Sequence, residues 1–324
     1  MKIKILNSNH NLPLLIEPDI KDKLSNIDTL LSWYKENSEF LENNLLRYGA
    51  ILFRGFGINT ISVFENFVKT VSDDLANYVD GNSPRTKLTK GIYTSTEYPA
   101  EYSISLHNEL SYSSKWPDKL YFCCITAPKK GGETPIADSR KILKNLNPKI
   151  VEQFTSKQVK YIRNLHGNHG FGISWQNTFE TSDKLLVEKY CRKNNINFEW
   201  KNNGDLRVSH IRRAIATHPK TSEEVWFNQA DQFHPSTLPK VTYETIMSLF
   251  KEREEELFQN VCFGDNTPIN VSILDEIRET ARKQAVVFPW QEGDVLVIDN
   301  MLVCHGRMPF VGSRKILVSM SQFQ

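Results

Sequence analysis

The amino-acid sequence predicts a mixed α/β protein with a mainly β core, flanking helices and a long insert. Two stretches, about 92–140 and 260–324, consist largely of short apolar or alternating segments separated by turn residues, which is the pattern of strands. The stretch between them, about 141–258, mixes helix-like with polar strand-like segments. Because no low-complexity linker divides the chain, we expect a single domain over residues 1–324, with the insert acting as a lid.

The elements follow in order along the chain. The helix-like segments are 21–48, 60–72, 139–145, 183–194 and 242–258. The strand-like segments are 50–54, 103–110, 120–125, 134–137, 198–200, 225–228, 285–288, 295–298 and 315–320. Both sets rest on the spacing of apolar residues, which is about 3.6 in a helix and 2 in a strand.

Helical spacing of apolar residues identifies the helices, and polar residues mark their ends. Leu30 and Leu31 belong to the apolar stripe of the first segment. Asp138 or Ser139 can cap the third segment through a side-chain oxygen. The charge run 251–256 is most simply the solvated face of the last predicted helix.

Apolar runs and alternation identify the strands. Segments 50–54 and 120–125 are continuous apolar runs, as expected for strands covered on both faces. Segment 103–110 alternates instead, so one of its faces should be polar. Gly293 and Gly312 mark turns beside the last strands, where glycine fits without steric cost.

The composition is that of an ordinary globular protein with nearly balanced charge. Of 324 residues, 40% are hydrophobic and 24% charged, and 40 Lys and Arg stand against 38 Asp and Glu, for a formal net charge of +2. This mixture argues against an intrinsically disordered or fibrous protein. Since phosphate backbones are bound by concentrated basic surfaces, we expect no nucleic-acid partner.

The cysteines and the lengths of the apolar segments indicate the cellular compartment of the protein. The five cysteines include no C-x-x-C pair, which argues against a disulfide framework and a structural zinc site. No stretch approaches the ~20 apolar residues of a membrane span, and the N-terminus lacks the apolar run of a signal peptide. We therefore expect a cytoplasmic protein with no membrane partner. Cys123 and Cys124 are adjacent on a predicted strand and should point to opposite faces.

The segment His107-Asn108-Glu109 offers the first candidate metal ligands. On a strand, residues i and i+2 face the same way, so the imidazole and the carboxylate converge on one point. Taken alone, the same pattern also fits a packed structural histidine beside an unrelated acid. The interpretation therefore depends on the segments that accompany it.

Two further segments carry the residue types that such a site needs. Gly131 and Gly132 allow a tight turn that places Thr134 at the start of a strand, where its hydroxyl can donate to an anionic oxygen. His305 follows a hydrophobic strand and can bind a metal, while Arg314 opens the next strand and can pair with a carboxylate through its planar fork. Each of these residues alone also has an ordinary structural explanation.

Two histidines and one carboxylate form the facial triad of non-haem Fe(II) oxygenases, which leaves coordination positions open. A hydrolytic zinc enzyme can use the same three ligands, but it would leave Arg314 and Thr134 without a role. A non-catalytic cupin-like metal-binding protein is the other alternative. The complete triad of His107, Glu109 and His305 favours an enzyme.

The ordered motifs resemble one protein family from about residue 45 to the C-terminus. The order H-x-E, G-G-E-T and D-N…H-G-R-x-P-F-x-G-x-R is similar to that of the Fe(II)/2-oxoglutarate-dependent dioxygenases of the taurine dioxygenase and clavaminate synthase-like superfamily. The phrases LHNELSYSSKWP, GGETPIADSR, WFNQADQFH and DNMLVCHGRMPF have the same character. Within the superfamily, the chain most resembles hydroxylases of non-ribosomal peptide pathways, such as the syringomycin-pathway aspartyl hydroxylase.

The resemblance implies a fold, a set of cofactors and a role for each motif residue. The fold is a double-stranded β-helix, or jelly roll, with the metal at its open end. The cofactors are Fe(II), 2-oxoglutarate and O2. His107, Glu109 and His305 would be the iron ligands. Arg314 would pair with the distal carboxylate of 2-oxoglutarate, and Thr134 would hydrogen-bond to the same cosubstrate.

The resemblance also implies the reaction. It indicates hydroxylation of an unactivated C–H bond in an amino acid or amino-acid-derived small molecule, either free or presented on a peptidyl carrier protein, in antibiotic or other specialised metabolite biosynthesis. Desaturation and cyclisation with the same cofactors are alternatives. Val318 stands where sulfonate and guanidino-acid members carry a further arginine, which argues against taurine-like substrates. Glu109 argues against the related halogenases, which have a small residue there.

Candidate substrate contacts are polar or aromatic residues near the ligands or in the insert. The first set is Asn108, Arg207, Trp226 and Asn228. A second set is Arg212, Arg213, His218 and the polar segment 83–85. Arginines in such positions can recognise a substrate carboxylate or the phosphate of a carrier's prosthetic group. Solvated arginines and a packed tryptophan are the structural alternatives.

Overall fold

The computed structural model describes residues 1–19, 26–72, 74–76, 80–81, 85–167, 172–250 and 256–321. The strands are β1 (Lys2–Ile5), β2 (Leu14–Glu17), β3 (Ala50–Phe53), β4 (Lys87–Thr89), β5 (Ile92–Thr94), β6 (Ile104–His107), β7 (Lys119–Thr126), β8 (Lys130–Gly131), β9 (Ile136–Asp138), β10 (Val159–Leu165), β11 (Asn197–Trp200), β12 (Leu206–Arg212), β13 (Ile215–Thr217), β14 (Glu224–Trp226), β15 (Gln259–Phe263), β16 (Val295–Asp299), β17 (Val303–Arg307), β18 (Phe310–Val311) and β19 (Lys315–Met320). The α-helices are α1 (Ile27–Glu36), α2 (Ser38–Tyr48), α3 (Ile61–Val71), α4 (Ser139–Asn145), α5 (Pro148–Lys157), α6 (Trp175–Phe179), α7 (Lys184–Lys193), α8 (Ala230–Phe233), α9 (Lys240–Leu249) and α10 (Val271–Lys283).

The largest sheet of the described chain has eight strands in the order β1-β2-β3-β16-β7-β19-β5-β4. Its centre is the antiparallel set β16, β7 and β19. Alternate residues of β7 enter two different cores, so that Cys123 packs on one side of the sheet and Cys124 on the other, both fully buried. The prediction of a strand covered on both faces is therefore confirmed, and so is the opposite orientation of the two cysteines.

Three N-terminal helices cover one face of this sheet. In α3, Phe64, Phe67 and Val68 lie at helical spacing and are completely buried against it. The single helix expected over 21–48 is instead two helices, α1 and α2. The side chain of Asn37 donates to the carbonyl of Trp33, which ends α1, and the chain then turns into α2. Residues 21–25 of that expected helix lie outside the described part.

A short sheet in the order β6-β17-β9 packs across the second core from the main sheet. Ile136 of β9 and Val303 of β17 meet Phe122 and Leu296 of the main sheet in this core. The two facing sheets are antiparallel except where β2 pairs with β3, and with the helices outside they form a mixed α/β jelly roll, as expected from the motifs. The short sheet also brings His305 directly opposite His107 in register.

The expected insert, about 141–258, contributes most of a separate four-stranded sheet, in the order β11-β12-β10-β15. Because β15 pairs with β10, this sheet extends past the expected insert boundary at residue 258. The last predicted helix of the insert ends at Leu249, and residues 251–255, with most of the charge run, lie outside the described part. The strand expected at 285–288 is reduced to one bridge at Val286, because a turn follows α10, in which the Ala285 N–H donates to the Arg282 carbonyl.

The cysteines of the chain form no disulfide, and its described helices include no candidate membrane span. All five cysteines are free thiols, and four of them are buried. Burial raises the pKa of the Cys191 and Cys304 thiols to about 12, which makes them poor nucleophiles. None of the helices in the described ranges is long and apolar enough to cross a bilayer.

Candidate metal centre

His107, Glu109 and His305 form one buried cluster at the edge of the short sheet. Their potential ligand atoms all lie within 4.8 Å of one another. His107 and His305 are cross-strand partners whose ring centroids are 4.4 Å apart, and the His305 Nε2 is 3.9 Å from the Glu109 Oε2. Two imidazoles and one carboxylate thus face a common point.

The local backbone differs from the alternating strand expected over 103–110. Strand β6 ends at His107, and Glu109 lies in the turn that follows, where Leu110 has a positive φ of 56°. His107 and Glu109 nevertheless share one side, because Asn108 is buried on the other, donating to the Asn300 carbonyl at 2.6 Å. The convergence therefore comes from an anchored turn and not from the pleat of a strand.

Both imidazoles are suited to metal binding. The Nδ1 of His107 lies 2.9 Å from the Ser105 carbonyl, so it carries the proton and leaves the Nε2 electron pair toward the cluster. Burial lowers the pKa of His107, and burial with the charges of His107 and Arg85 places the pKa of His305 well below its ordinary value. The neutral imidazole is the protonation state that a divalent cation requires of a histidine ligand.

The buried polar atoms also leave room for a cation. The distance of 3.9 Å between the His305 Nε2 and the Glu109 Oε2 is too long for a hydrogen bond, so the inward nitrogen is not used by its nearest acid. The Nδ1 of His305 is buried and has no hydrogen-bond partner within the described ranges. The donor set and its geometry fit a metal of the Fe(II) class.

A guanidinium also reaches the cluster. Arg85 Nη2 donates to Glu109 Oε2 at 2.5 Å, and the two side chains are only 3% and 4% exposed. The sequence placed Arg85 in a polar segment near the ligands but did not predict this ion pair. Residues 83 and 84 of that segment lie outside the described part.

Thr134 and Arg314 border the same small cavity as the two histidines, a space of about 30 Å³. The Thr134 Oγ1 accepts a hydrogen bond from the indole of Trp290 at 3.1 Å, so its own proton remains available to a ligand. Arg314 is held from behind, since its Nε donates to the Gly132 carbonyl at 2.8 Å. Burial and the nearby Arg307 lower the pKa of Arg314 to about 10, an environment that favours an anion.

Only glycine fits at position 132, because a side chain there would collide with Arg314. Its φ is +73°, and a Cβ at this position would lie 3.0 Å from the Arg314 Cδ and 2.9 Å from the Phe310 Cβ. A side chain would therefore strain the backbone and push the arginine at the same time. The tight turn predicted from the two adjacent glycines is present, with Gly131 also at positive φ.

Apart from Arg85 of the polar segment 83–85, the structure does not bring the expected substrate contacts to this cavity. The Asn108 amide is directed toward Ser139 and Asn300. Arg207 lies in the insert sheet beside Asn164, 3.4 Å from its side-chain oxygen. Trp226 packs on Phe154 with ring centroids 5.1 Å apart.

The remaining insert candidates also bond to other parts of the protein or line a different groove. Asn228 donates to the Ala214 carbonyl and accepts from the start of α8. His218 accepts two backbone N–H groups at Nδ1 and bonds Asp299 through Nε2 at 3.1 Å. Arg212 and Arg213 line a separate groove of about 1440 Å³, together with residues of α5 and of the segment 111–116.

Two residues that position parts of the site were not predicted from the sequence. Asn300 follows Asp299 after β16, and its amide bonds both the N–H and the carbonyl of Glu109. Arg307 donates to three backbone carbonyls of the 98–102 loop and fixes that loop beside the cavity. Both residues belong to the quoted D-N…H-G-R motif, which was the available signal, but neither has a pattern that reveals its partner.

Comparison with known proteins gives matches over nearly the whole chain. The profile of the taurine catabolism dioxygenase TauD, TfdA family matches residues 16–320. The dapdiamide synthesis protein DdaC of Enterobacter agglomerans is 39% identical over 280 residues, covering 86% of this chain and 84% of that protein. A clavaminate synthase-like protein of Arabidopsis thaliana is 31% identical over 294 residues, covering 88% of this chain and 85% of that protein.

Solved structures agree on the fold. The crystal structure of AAD-2 in complex with Mn(II) and N-oxalylglycine superposes with a TM-score of 0.56 at 13% identity, covering 99% of this chain and 96% of that one. The matches confirm the superfamily expected from the ordered motifs. The protein belongs to the taurine catabolism dioxygenase TauD, TfdA family, and it is an Fe(II)/2-oxoglutarate-dependent dioxygenase that uses Fe(II), 2-oxoglutarate and O2.

Proposed function

We propose that this dioxygenase hydroxylates an unactivated C–H bond of an amino acid or an amino-acid-derived small molecule. The observation that carries the proposal is one cavity bordered by His107, His305, Thr134 and Arg314, with Glu109 at the side of the two imidazoles. His107, Glu109 and His305 supply the donor set of a facial triad. Thr134 and Arg314 supply a hydroxyl donor and a guanidinium, the groups that a small dicarboxylate needs.

In this proposal His107, Glu109 and His305 are the iron ligands. The Ser105 carbonyl fixes the His107 tautomer, and Asn300 fixes the backbone of Glu109. When bound, the iron supplies the oxidising chemistry that no protein side chain has. Burial lowers the pKa of both imidazoles, so the protein contributes two histidines that are neutral donors before a metal binds.

Thr134 and Arg314 are the proposed 2-oxoglutarate contacts. The Trp290 indole occupies one lone pair of the Thr134 hydroxyl, which orients its proton toward a carboxylate oxygen. Arg314 can offer its Nη2 to a carboxylate, because its Nε donates to the Gly132 carbonyl and its Nη1 donates to the Ser95 hydroxyl at 3.2 Å. A charge-assisted pair in a buried cavity is strong and directional.

The biological setting is proposed from similarity. A protein of dapdiamide synthesis is 39% identical to this chain, which supports a role in the synthesis of an amino-acid-derived antibiotic or related metabolite. The substrate would be either a free small molecule or one tethered to a peptidyl carrier protein. Hydroxylation is the default outcome, while desaturation or cyclisation of the same substrate would use the same residues.

Product analysis tests the proposal. The Fe(II)-loaded enzyme would be incubated with 2-oxoglutarate, O2 and a panel of free and carrier-loaded amino acids, and succinate and a product heavier by one oxygen would be measured. We expect at least one compound to give both, and Glu109→Ala to give neither, whereas Glu152→Ala in the remote groove behaves as wild type. Succinate that never exceeds the substrate-free rate would contradict the amino-acid proposal. A product two hydrogens lighter would assign desaturation or cyclisation instead.

A further inference from the structure

Arg85 contacts Glu109 at the oxygen that also faces the histidines. The Arg85 Nη2 is 2.5 Å from the Glu109 Oε2, and the same oxygen is 3.9 Å from the His305 Nε2. The guanidinium therefore occupies the neighbourhood in which a metal held by these three residues would sit.

The cavity at the metal centre is rich in positive charge. Arg85, Arg307 and Arg314 all line it, and no Asp or Glu is among its lining residues in the described part. Arg307 is bonded to three carbonyls of the 98–102 loop, and Arg314 to the Gly132 carbonyl. Charges in such a dry space are poorly screened, so the cavity is built for anions.

The arginines of this cavity outweigh the negative charge of the loaded site, if the proposed function holds. Divalent iron, the Glu109 carboxylate and the two carboxylates of 2-oxoglutarate together carry a single negative charge, against three arginines. Arg314 is the proposed partner of the distal carboxylate, and Arg307 is bonded to the carbonyls of the 98–102 loop. Arg85 is therefore the arginine placed to meet a further anionic group.

Arg85 also connects the metal cavity with a second, outer cavity. The outer cavity has about 770 Å³ and includes Arg85, Gln176 and Asn177 in its lining. Arg85 is the residue that both cavities share within the described ranges. A space of this size suits a small-molecule ligand, and a molecule filling it meets the metal centre at the guanidinium.

We propose that Arg85 is the specificity-determining residue for a substrate carboxylate, and that its fork moves from Glu109 to that carboxylate when the metal is bound. The inference rests on the proposed function and narrows it. A divalent ion on Glu109 Oε2 repels the guanidinium, while a planar carboxylate matches the arginine fork in bidentate fashion. The preferred substrate is then a free amino acid or small peptide with an unesterified carboxylate, and not a thioester on a carrier protein.

The first test uses the wild-type enzyme alone. Matched pairs of each amino acid and its carboxamide would be compared for stimulation of succinate release by the Fe(II) and 2-oxoglutarate-loaded enzyme. A charge-assisted pair is worth roughly 1.5–3 kcal/mol, so the acid should half-saturate at a concentration about 10- to 100-fold below that of the amide. Equal half-saturation by acid and amide, or preference for carrier-loaded substrates, would overturn the inference. A panel that gives no stimulation at all contradicts the proposed function instead.

The second test is a metal titration that needs no substrate. Mn(II) binding would be followed by calorimetry in wild type, Arg85→Lys and Arg85→Gln, with thermal unfolding as the check on folding. Since Arg85 competes with the metal for Glu109, Arg85→Gln should bind Mn(II) about tenfold more tightly, and Arg85→Lys should stay near wild type. Unchanged or weaker binding in a folded Arg85→Gln would show that the guanidinium is a fixed structural partner, and the inference would fall even if turnover were normal.

Discussion

The side-chain amide of Asn300 bonds both backbone groups of Glu109. Its Oδ1 accepts the Glu109 N–H at 2.7 Å, and its Nδ2 donates to the Glu109 carbonyl at 2.9 Å, although the two residues are 191 positions apart. Asn300 also lies in the turn between β16 and β17, the strand that carries His305. One buried amide therefore couples the carboxylate of the proposed triad to the strand that bears the distal histidine.

Replacing Asn300 with alanine should loosen the metal centre. The substitution leaves two buried backbone groups of Glu109 without their partners, and each such group costs about 1–3 kcal/mol. We expect a lower free energy of unfolding in urea and at least about tenfold weaker Fe(II) binding. Asn44→Ala is the matched control, because that amide is exposed and bonds only the Phe40 carbonyl within its own helix. Wild-type metal affinity in Asn300→Ala would show that Glu109 is positioned by other contacts.

Trp290→Phe tests the role of the Thr134 hydroxyl. The ring stays in the core but the indole N–H that orients the Thr134 Oγ1 is lost. A hydrogen bond of about 1 kcal/mol predicts a several-fold rise in the KM for 2-oxoglutarate, with Fe(II) affinity unchanged. Trp200→Phe removes a comparable indole bond, to Glu188 in the insert, and should leave both constants alone. A loss of metal binding in Trp290→Phe would mean that the tryptophan supports the triad and not the cosubstrate.

Gly132→Ala should weaken 2-oxoglutarate binding by displacing Arg314. The added Cβ meets the Arg314 Cδ at 3.0 Å, and the positive φ adds about 1 kcal/mol of backbone strain. Gly204→Ala carries the same backbone strain at φ +86° but meets nothing within 4 Å, so it isolates the contribution of the contact. Calorimetric titration of the Fe(II)-loaded variants with 2-oxoglutarate should show a loss in Gly132→Ala only. Equal affinities for 2-oxoglutarate in the two variants would show that the contact between the added Cβ and Arg314 does not affect binding.

His210 predicts a pH dependence of stability. Its Nε2 lies 2.8 Å from the Tyr112 carbonyl in a buried site, and burial together with the Arg212 charge lowers its pKa from 6.5 to about 3. Between these two values the unfolded chain binds more protons, so stability is complete above about pH 6.5 and is lost as pH falls toward 3. Each pH unit in that window costs up to about 1.4 kcal/mol.

Urea unfolding at pH 7 and pH 5 measures this contribution. His210→Gln keeps a donor for the Tyr112 carbonyl but cannot take up a proton, so it should lose less stability than wild type between the two pH values. His10→Gln, on a partly exposed side chain, should follow the wild-type curve. The same loss in wild type and His210→Gln would exclude His210 as the source.

Much of the fold follows from local patterns in the sequence. The central strands β7, β16 and β19 are continuous apolar runs, and α3 has an uninterrupted apolar stripe, so their burial could be predicted from spacing alone. The break at Asn37 could not, because it depends on a side chain that competes for a carbonyl of its own helix. The turn at Glu109 was missed for a similar reason, since its conformation is held by Asn300 from a distant part of the chain.

The residues of the proposed site also fall into a group that the sequence predicted and a group that it did not. The ordered motifs of the sequence pointed to His107, Glu109, Thr134, His305 and Arg314, and the structure brings these residues together. The substrate contacts were chosen from residue type in the insert and beside the ligands, and type alone does not say which way a side chain faces. Trp226 is a core residue for that reason, while Arg85 of the polar segment 83–85 enters the cavity.

Anaerobic titration with Fe(II) in the presence of 2-oxoglutarate tests the central claim most directly. The claim is that His107, Glu109 and His305 hold one iron beside the cosubstrate contacts Thr134 and Arg314. It predicts a visible charge-transfer band that saturates at one Fe(II) per chain in wild type, is absent in Glu109→Ala, and appears only at higher 2-oxoglutarate concentrations in Arg314→Gln. A wild-type protein that shows no band, or a Glu109→Ala variant that shows the same band at the same Fe(II) concentration, would contradict the claim.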